Sequence, residues 1–192
     1  MRTTFSIILL AVSASAVPSG ALLEYLPEEP GFTWHYWGFA EYGHTIRLVD
    51  IIQGDDETVF MVSGMVEDVS GGEAQGNFSM KLKYTVTDSC LILSQHAPLA
   101  MDSDFPRMEL LRLPLEEGAS WTQTAGDTGL LCEIESIDDG VITVRYSDMH
   151  SEFYHLREFE PGLCTTVFEK LYISPDGNFE IGYSLFRPEQ YQ

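Results

Sequence analysis

Asp127-Thr128-Gly129 matches the triplet that carries the nucleophile-activating carboxylate in aspartic proteases. That chemistry needs two carboxylates sharing one proton, so a second triplet or a second copy of the chain must supply the partner. No second Asp-Thr-Gly or Asp-Ser-Gly occurs, and Ala125-Gly126 stand where apolar residues usually precede the triplet. A turn is the preferred reading, because Asp and Gly suit tight turns. Asp127 stays as the catalytic alternative. The five histidines are His35, His44, His96, His150 and His155. Asp148, His150 and Glu152 alternate and on a strand would share one face, as metal ligands can. A turn over 147–151 scatters them instead, so no metal site is assigned there. Asp102-Ser103-Asp104 and Asp55-Asp56-Glu57 offer oxygen ligands to calcium. Neither follows the EF-hand spacing, so solvated turns are preferred, with Asp102 and Asp104 as the metal alternative. The sequence contains no Gly-x-Ser-x-Gly elbow, His-Glu-x-x-His, Walker loop or Gly-x-Gly-x-x-Gly. No cofactor is therefore expected.

The elements that must position these residues read as strands. Thr45–Ile51 and Thr58–Val62 flank Gly54-Asp55-Asp56-Glu57 as a hairpin. Glu133–Ile137 and Val141–Val144 flank Asp138-Asp139-Gly140, a strong hairpin signal. Val167–Ile173 and Phe179–Tyr183 flank Pro175-Asp176-Gly177-Asn178 as a third. Further strands are expected at Thr33–Phe39, Asn77–Val86, Leu91–Ser94, Met108–Leu113, Ser120–Thr124 and Glu152–Phe159. A short helix or irregular connection is expected at His96–Phe105. No apolar stripe at helical spacing runs beyond about two turns.

An internal repeat organises the chain. Residues 26–34, Leu-Pro-Glu-Glu-Pro-Gly-Phe-Thr-Trp, align without gaps on residues 113–121, Leu-Pro-Leu-Glu-Glu-Gly-Ala-Ser-Trp. Leu82-Lys83 stands eight residues before Cys90, and Leu156-Arg157 eight before Cys164. One strand-and-turn unit used twice accounts for this. Pro closes the preceding strand, Gly permits a positive φ, and Trp opens the next strand into the core. Trp34 and Trp121 are candidate ligand-binding residues, with core packing as the preferred role for both. The expected fold is all-β: a strongly curved antiparallel sheet, open barrel or sandwich. It is built from two related halves, 26–111 and 112–192, in a single domain spanning 17–192.

The N-terminus carries one positive charge at Arg2, a short apolar run over 5–12, and Ser-Ala-Ser-Ala at 13–16. That is the pattern of a secretory signal peptide over residues 1–16. The run is too short to span a bilayer, so no membrane insertion is expected after cleavage. A secreted, periplasmic or cell-envelope protein is expected. Thirty acidic against ten basic residues give a formal charge of −20. The charge argues against nucleic acid and against anionic membrane surfaces as partners, because both attract Lys and Arg. Export permits a disulfide among Cys90, Cys132 and Cys164, but an odd count leaves one thiol over.

The repeat resembles a Pro-Leu-x-x-Gly-x-x-Trp motif that opens domains in bacterial secreted proteins and lipoproteins. Residues 114–121 match it fully, and 27–34 depart at Glu28. Phe153-Tyr154 to Phe159, followed by Gly162-Leu163-Cys164, is similar to the aromatic strand and Gly-x-Gly turn of those proteins, with Cys164 in place of the second Gly. The resemblance implies a curled all-β domain at the cell envelope and implies no catalytic residues. The function expected is a non-enzymatic exported module that binds a partner protein or an apolar small molecule on a concave β surface. A secreted hydrolase and a calcium-stabilised structural module are the alternatives.

Overall fold

The structure, a computed structural model, describes residues 17–38, 42–69, 76–95 and 102–187. The expected signal peptide, 1–16, lies outside the described residues, as does the 96–101 part of the expected connection. The described elements are a one-turn helix, α1 (Gly20–Leu23), and strands β1 (Thr33–Gly38), β2 (Tyr42–Gln53), β3 (Thr58–Asp68), β4 (Phe78–Val86), β5 (Cys90–Gln95) and β6 (Arg107–Arg112). The second half supplies β7 (Ser120–Ala125), β8 (Thr128–Asp138), β9 (Val141–Asp148), β10 (Tyr154–Glu160), β11 (Cys164–Tyr172) and β12 (Phe179–Leu185). Each expected strand is present, most with ends within a residue or two. α1 was not expected, because four residues leave no periodicity to read.

The twelve strands form one antiparallel sheet in the order β6-β5-β4-β3-β2-β1-β12-β11-β10-β9-β8-β7. Each half is a six-stranded meander, and β1 joins the halves by pairing with β12, Tyr36 opposite Leu185. A sheet this wide must curl to bury its apolar face. Here it curls until the outermost strands, β6 and β7, meet. Gln123 of β7 bridges that seam: the Glu109 backbone N–H donates to its Oε1 at 2.9 Å, and its Nε2 donates to the Glu109 carbonyl at 3.1 Å. The side-chain amide thus satisfies two edge groups that a neighbouring strand would otherwise pair. Tyr146 adds a hydrogen bond across the gap, its hydroxyl donating to the Leu110 carbonyl at 2.6 Å. The result is a nearly closed barrel whose inward side chains make one hydrophobic core.

The repeated nonapeptide has a visible mechanical role. Gly31 and Gly118 both have positive φ, 100° and 80°. The Gly31 N–H donates to the Leu48 carbonyl and the Leu48 N–H returns to the Phe32 carbonyl, at 2.8 and 2.9 Å. In the second half Gly118 donates to Ile134, and Ile134 to Ala119, at the same two distances. The residue after each acceptor, Val49 or Glu135, is skipped in the strand pairing, as in a β-bulge. Such bulges bend a strand and increase its twist, which suits a curling sheet. The glycine therefore hooks the incoming segment onto the point where the long hairpin bends.

One end of the barrel is sealed by the segment around α1. Leu22 and Leu26 are buried there. The Gly162 and Cys164 N–H groups donate to the Glu24 and Tyr25 carbonyls, each at 2.7 Å. Cys164, which replaces glycine in the resemblance noted above, sits at φ 59°. The other end receives residues 102–105, which fold into the lumen as turns and bends. Among them Ser103 and Phe105 are buried.

Candidate functional site

The lumen of the second half is polar. On β10 burial alternates, so His155, Arg157 and Phe159 all point inward. Arg157 is 2% exposed. Its guanidinium lies 3.4 Å from Asp102 Oδ2, donates through Nη2 to the Asp102 carbonyl, and sits 4.8 Å above the Phe168 ring. Tyr183 of β12 donates its hydroxyl to the same carboxylate oxygen at 2.7 Å. Burial works to raise the Asp102 pKa, but Arg157 and the Tyr183 hydrogen bond outweigh it and hold the carboxyl below its usual range. Asp104 approaches His155 Nδ1 at 3.1 Å and Lys170 Nζ at 3.5 Å. His155 is enclosed between Tyr146 and Phe168, ring centroids 4.5 and 5.4 Å away. Burial lowers its pKa to about 4 despite Asp104, so the ring is neutral at neutral pH. The 102–104 carboxylates thus pin their segment to β10, β11 and β12.

The lumen of the first half is left partly open beside this network. A pocket of about 60 Å³ lies there. Ile46, Val66, Phe78, Met80 and Leu82 from β2, β3 and β4 form its apolar wall. Tyr36, Tyr42, Tyr84, Tyr183, Thr165 and Asp102 also line it, together with His44. Tyr36 stacks on His44 at 4.5 Å, and Tyr183 meets both rings edge-on at 4.9 and 4.7 Å. Tyr36 donates its hydroxyl to the Thr165 carbonyl at 2.7 Å. Burial lowers the His44 pKa to about 4 against the pull of Asp102, so this ring too is neutral. Asp102 Oδ1 is buried without a hydrogen-bond partner. Thr165 Oγ1 likewise lacks a well-formed hydrogen bond, with the Cys164 thiol as its neighbour. A small-molecule site usually measures about 300–1,000 Å³. This pocket holds the tip of a ligand rather than a whole one.

A wider, shallower cleft of about 1050 Å³ opens at the sealed end, between the segment around α1 and the β2–β3 hairpin. Phe32, Ile51 and Phe60 line it together with Glu24, Glu28 and Glu29. It holds no buried polar convergence comparable with the lumen.

No protein-family model matches the chain, and no curated protein matches its sequence. A crystal structure from Bacteroides fragilis, described as an exported protein with a YmcC-like fold, superposes with a TM-score of 0.54 at 12% identity, covering 84% of this chain and 97% of that one. The chain has that fold. A crystal structure from Parabacteroides distasonis, described as that of a lipoprotein, gives a TM-score of 0.48 at 11% identity over 84% of this chain and 96% of that one.

Within this YmcC-like fold the residues singled out from sequence fall in several places. Trp34 and Trp121 are buried, 1% and 6% exposed, and neither lines the lumen pocket. Trp34 Nε1 donates to the Leu163 carbonyl at 2.6 Å, whereas Trp121 Nε1 is buried without a partner. Asp127 stands in the exposed turn between β7 and β8. Asp148 ends β9, and His150 and Glu152 are exposed in the turn that follows. Among the described residues no three His, Cys, Asp or Glu side chains converge as a metal site. The three cysteines are unpaired and buried. Burial raises the thiol pKa of Cys132 to about 12 and of Cys164 to about 11, so both stay protonated.

Asp102 and Asp104 do meet charged groups, but as partners of Arg157, His155 and Lys170. Sequence reasoning did not single out Arg157, His155, Tyr183 or the Tyr36–His44 stack. The alternation His155-x-Arg157-x-Phe159 was the available signal. It was obscured by aligning Leu82-Lys83 with Leu156-Arg157. The structure separates those pairs: Leu82 points in and Lys83 out, while Arg157 points in. Two residues separate the paired Thr87 and Cys90 but three separate the paired Glu160 and Cys164, and that extra turn residue reverses the facing counted back from each cysteine.

Proposed function

We propose that the protein is an exported, non-enzymatic binding module that holds an alkyl segment of a small molecule against the apolar wall of the lumen of its first half. The observation that carries this reading is the pocket walled by Ile46, Val66, Met80 and Leu82 on the concave side of the sheet. Phe78 stands 40% exposed at its rim, an apolar side chain left for a ligand to cover. Export is supported by the signal-like N-terminus and by the likeness to a fold found in a protein described as exported. The calcium and hydrolase alternatives have less support: Asp102 and Asp104 already face cationic or histidine groups, and Asp127 stands in an exposed turn.

Native mass spectrometry of the exported protein, together with titration of short n-alkyl compounds by calorimetry, tests the reading. Wild type should bind at one site per chain. Met80→Trp, which fills the mouth, should weaken binding about tenfold or more, since excluding a few methylenes forfeits over 1 kcal/mol. Absence of any alkyl binding would oppose the reading and favour a partner protein over the exposed Val69, Phe78 and Phe179.

A further inference from the structure

We infer that the lumen pocket recognises the ammonium end of an amine, seated between the Asp102 carboxylate and the faces of the surrounding tyrosines. The inference rests on the lumen being a ligand site and adds the chemistry of the ligand's tip. Two of the pocket's hydroxyl donors are already committed. Tyr36 gives its hydroxyl to the Thr165 carbonyl, and Tyr183 gives its own to Asp102 Oδ2. What remains is acceptor capacity. A carboxylate can accept about four hydrogen bonds, and Oδ1 of Asp102 has no well-formed one, with the Gln95 side chain as a neighbour of the carboxyl. Thr165, 2% exposed, adds an Oγ1 that can accept a further bond.

A buried acceptor without a donor is costly, so a ligand that brings N–H groups relieves a cost already present in the empty pocket. The ring faces favour a cation over a neutral donor, because the aromatic quadrupole attracts positive charge within about 6 Å of a centroid. His44 stacks in this wall as a neutral ring and so places no competing charge beside the cation. Arg157 is turned to the Asp102 carbonyl and Oδ2 and to the Phe168 face. Size agrees: about 60 Å³ is room for a few water-sized groups, enough for an ammonium and the first carbons of its stem. The formal charge of −20 raises the local concentration of cations around the molecule.

The test is a matched series, n-butylamine, n-butanol and butyrate, titrated into the whole protein at neutral pH. The amine should bind about tenfold more tightly than the alcohol, with butyrate weakest. Asp102→Asn should bring the amine down to about the affinity of the alcohol, closing the gap between the two. Because Asp102 also holds Arg157, circular dichroism checks that this variant folds. Thr165→Val supplies an independent arm and should weaken the amine severalfold with little effect on the alcohol. An alcohol or carboxylate that binds as tightly as the amine overturns this inference and leaves the apolar pocket standing. So do folded variants that keep the amine preference. Failure of all three compounds to bind removes the pocket reading as well.

Discussion

The two halves of the barrel share a backbone plan and differ in what they put inside it. In β4 the inward residues are Leu82, Tyr84 and Val86; in β10 they are His155, Arg157 and Phe159. The polar set in β10 draws the 102–104 carboxylates into the lumen and fills that side. The apolar and aromatic set in β4 has no such plug, and a pocket remains. A repeated scaffold thus supplies two concave surfaces, and a change of inward residues on one strand decides which is packed and which is left open. Buried charge is a poor source of net stability but fixes where a segment sits, because an unpaired buried charge is far worse.

The largest effect that would break this comparison comes from the strands themselves. Arg157→Ala should destabilise the protein by about 3–5 kcal/mol, as expected when one partner of a buried ion pair is removed. Lys83→Ala, its counterpart by sequence but outward-facing, should change stability by less than about 0.5 kcal/mol. Urea unfolding of both measures the difference, and equal costs would contradict the inward and outward assignment.

Next comes pH. His155 has a folded pKa of about 4 against an ordinary 6.5. Between those values the unfolded chain binds the extra proton, so stability falls as pH drops from 6.5 towards 4 and levels off below. The full effect is roughly 3 kcal/mol at about 1.4 kcal/mol per pKa unit. His44, lowered to the same value in the first half, adds a loss of the same sign. Asp102 and Asp104, whose folded pKa values are lowered, hold their contribution above about pH 4 and lose it only in stronger acid. His155→Phe should flatten the curve between pH 6.5 and 4 by about half. An unchanged slope in thermal or urea unfolding would show that His155 is not buried neutral.

The paired indoles offer a finer contrast. Trp34→Phe should cost about 1–2 kcal/mol more than Trp121→Phe. The first strands the Leu163 carbonyl, while the second deletes a donor that is already unsatisfied. Smallest is the seam: Gln123→Ala should cost about 1 kcal/mol and speed hydrogen exchange at the Glu109 amide, whose acceptor it removes. Protection unaltered at Glu109 would mean that the seam closes by other contacts.

Much of the fold was legible in the chain. Asp138-Asp139-Gly140 and Pro175–Asn178 marked hairpins because their residue types suit turn geometry, and alternation marked the strands between them. The Gly31 and Gly118 equivalence was legible for the same reason: few residues accept a positive φ. The site was far less so. Tyr36 and His44 face each other across the β1–β2 hairpin, but Asp102, Thr165 and Tyr183 lie far from them in sequence and converge on them because β1 pairs with β12 and the 102–105 segment turns inward. No local pattern encodes that closure. The facing of Arg157 was hidden by one extra residue in the β10–β11 turn, since a single residue of slip exchanges the inside and outside of a strand.

A double-mutant cycle on Asp102 and Arg157, read by urea unfolding, tests the partition of the lumen most directly. Arg157→Met alone and Asp102→Asn alone should each be costly, and the double variant should cost clearly less than their sum, giving a coupling of about 2–3 kcal/mol. Additive costs would mean that the two side chains do not meet inside the barrel, and the packed and open halves described here would lose their physical basis.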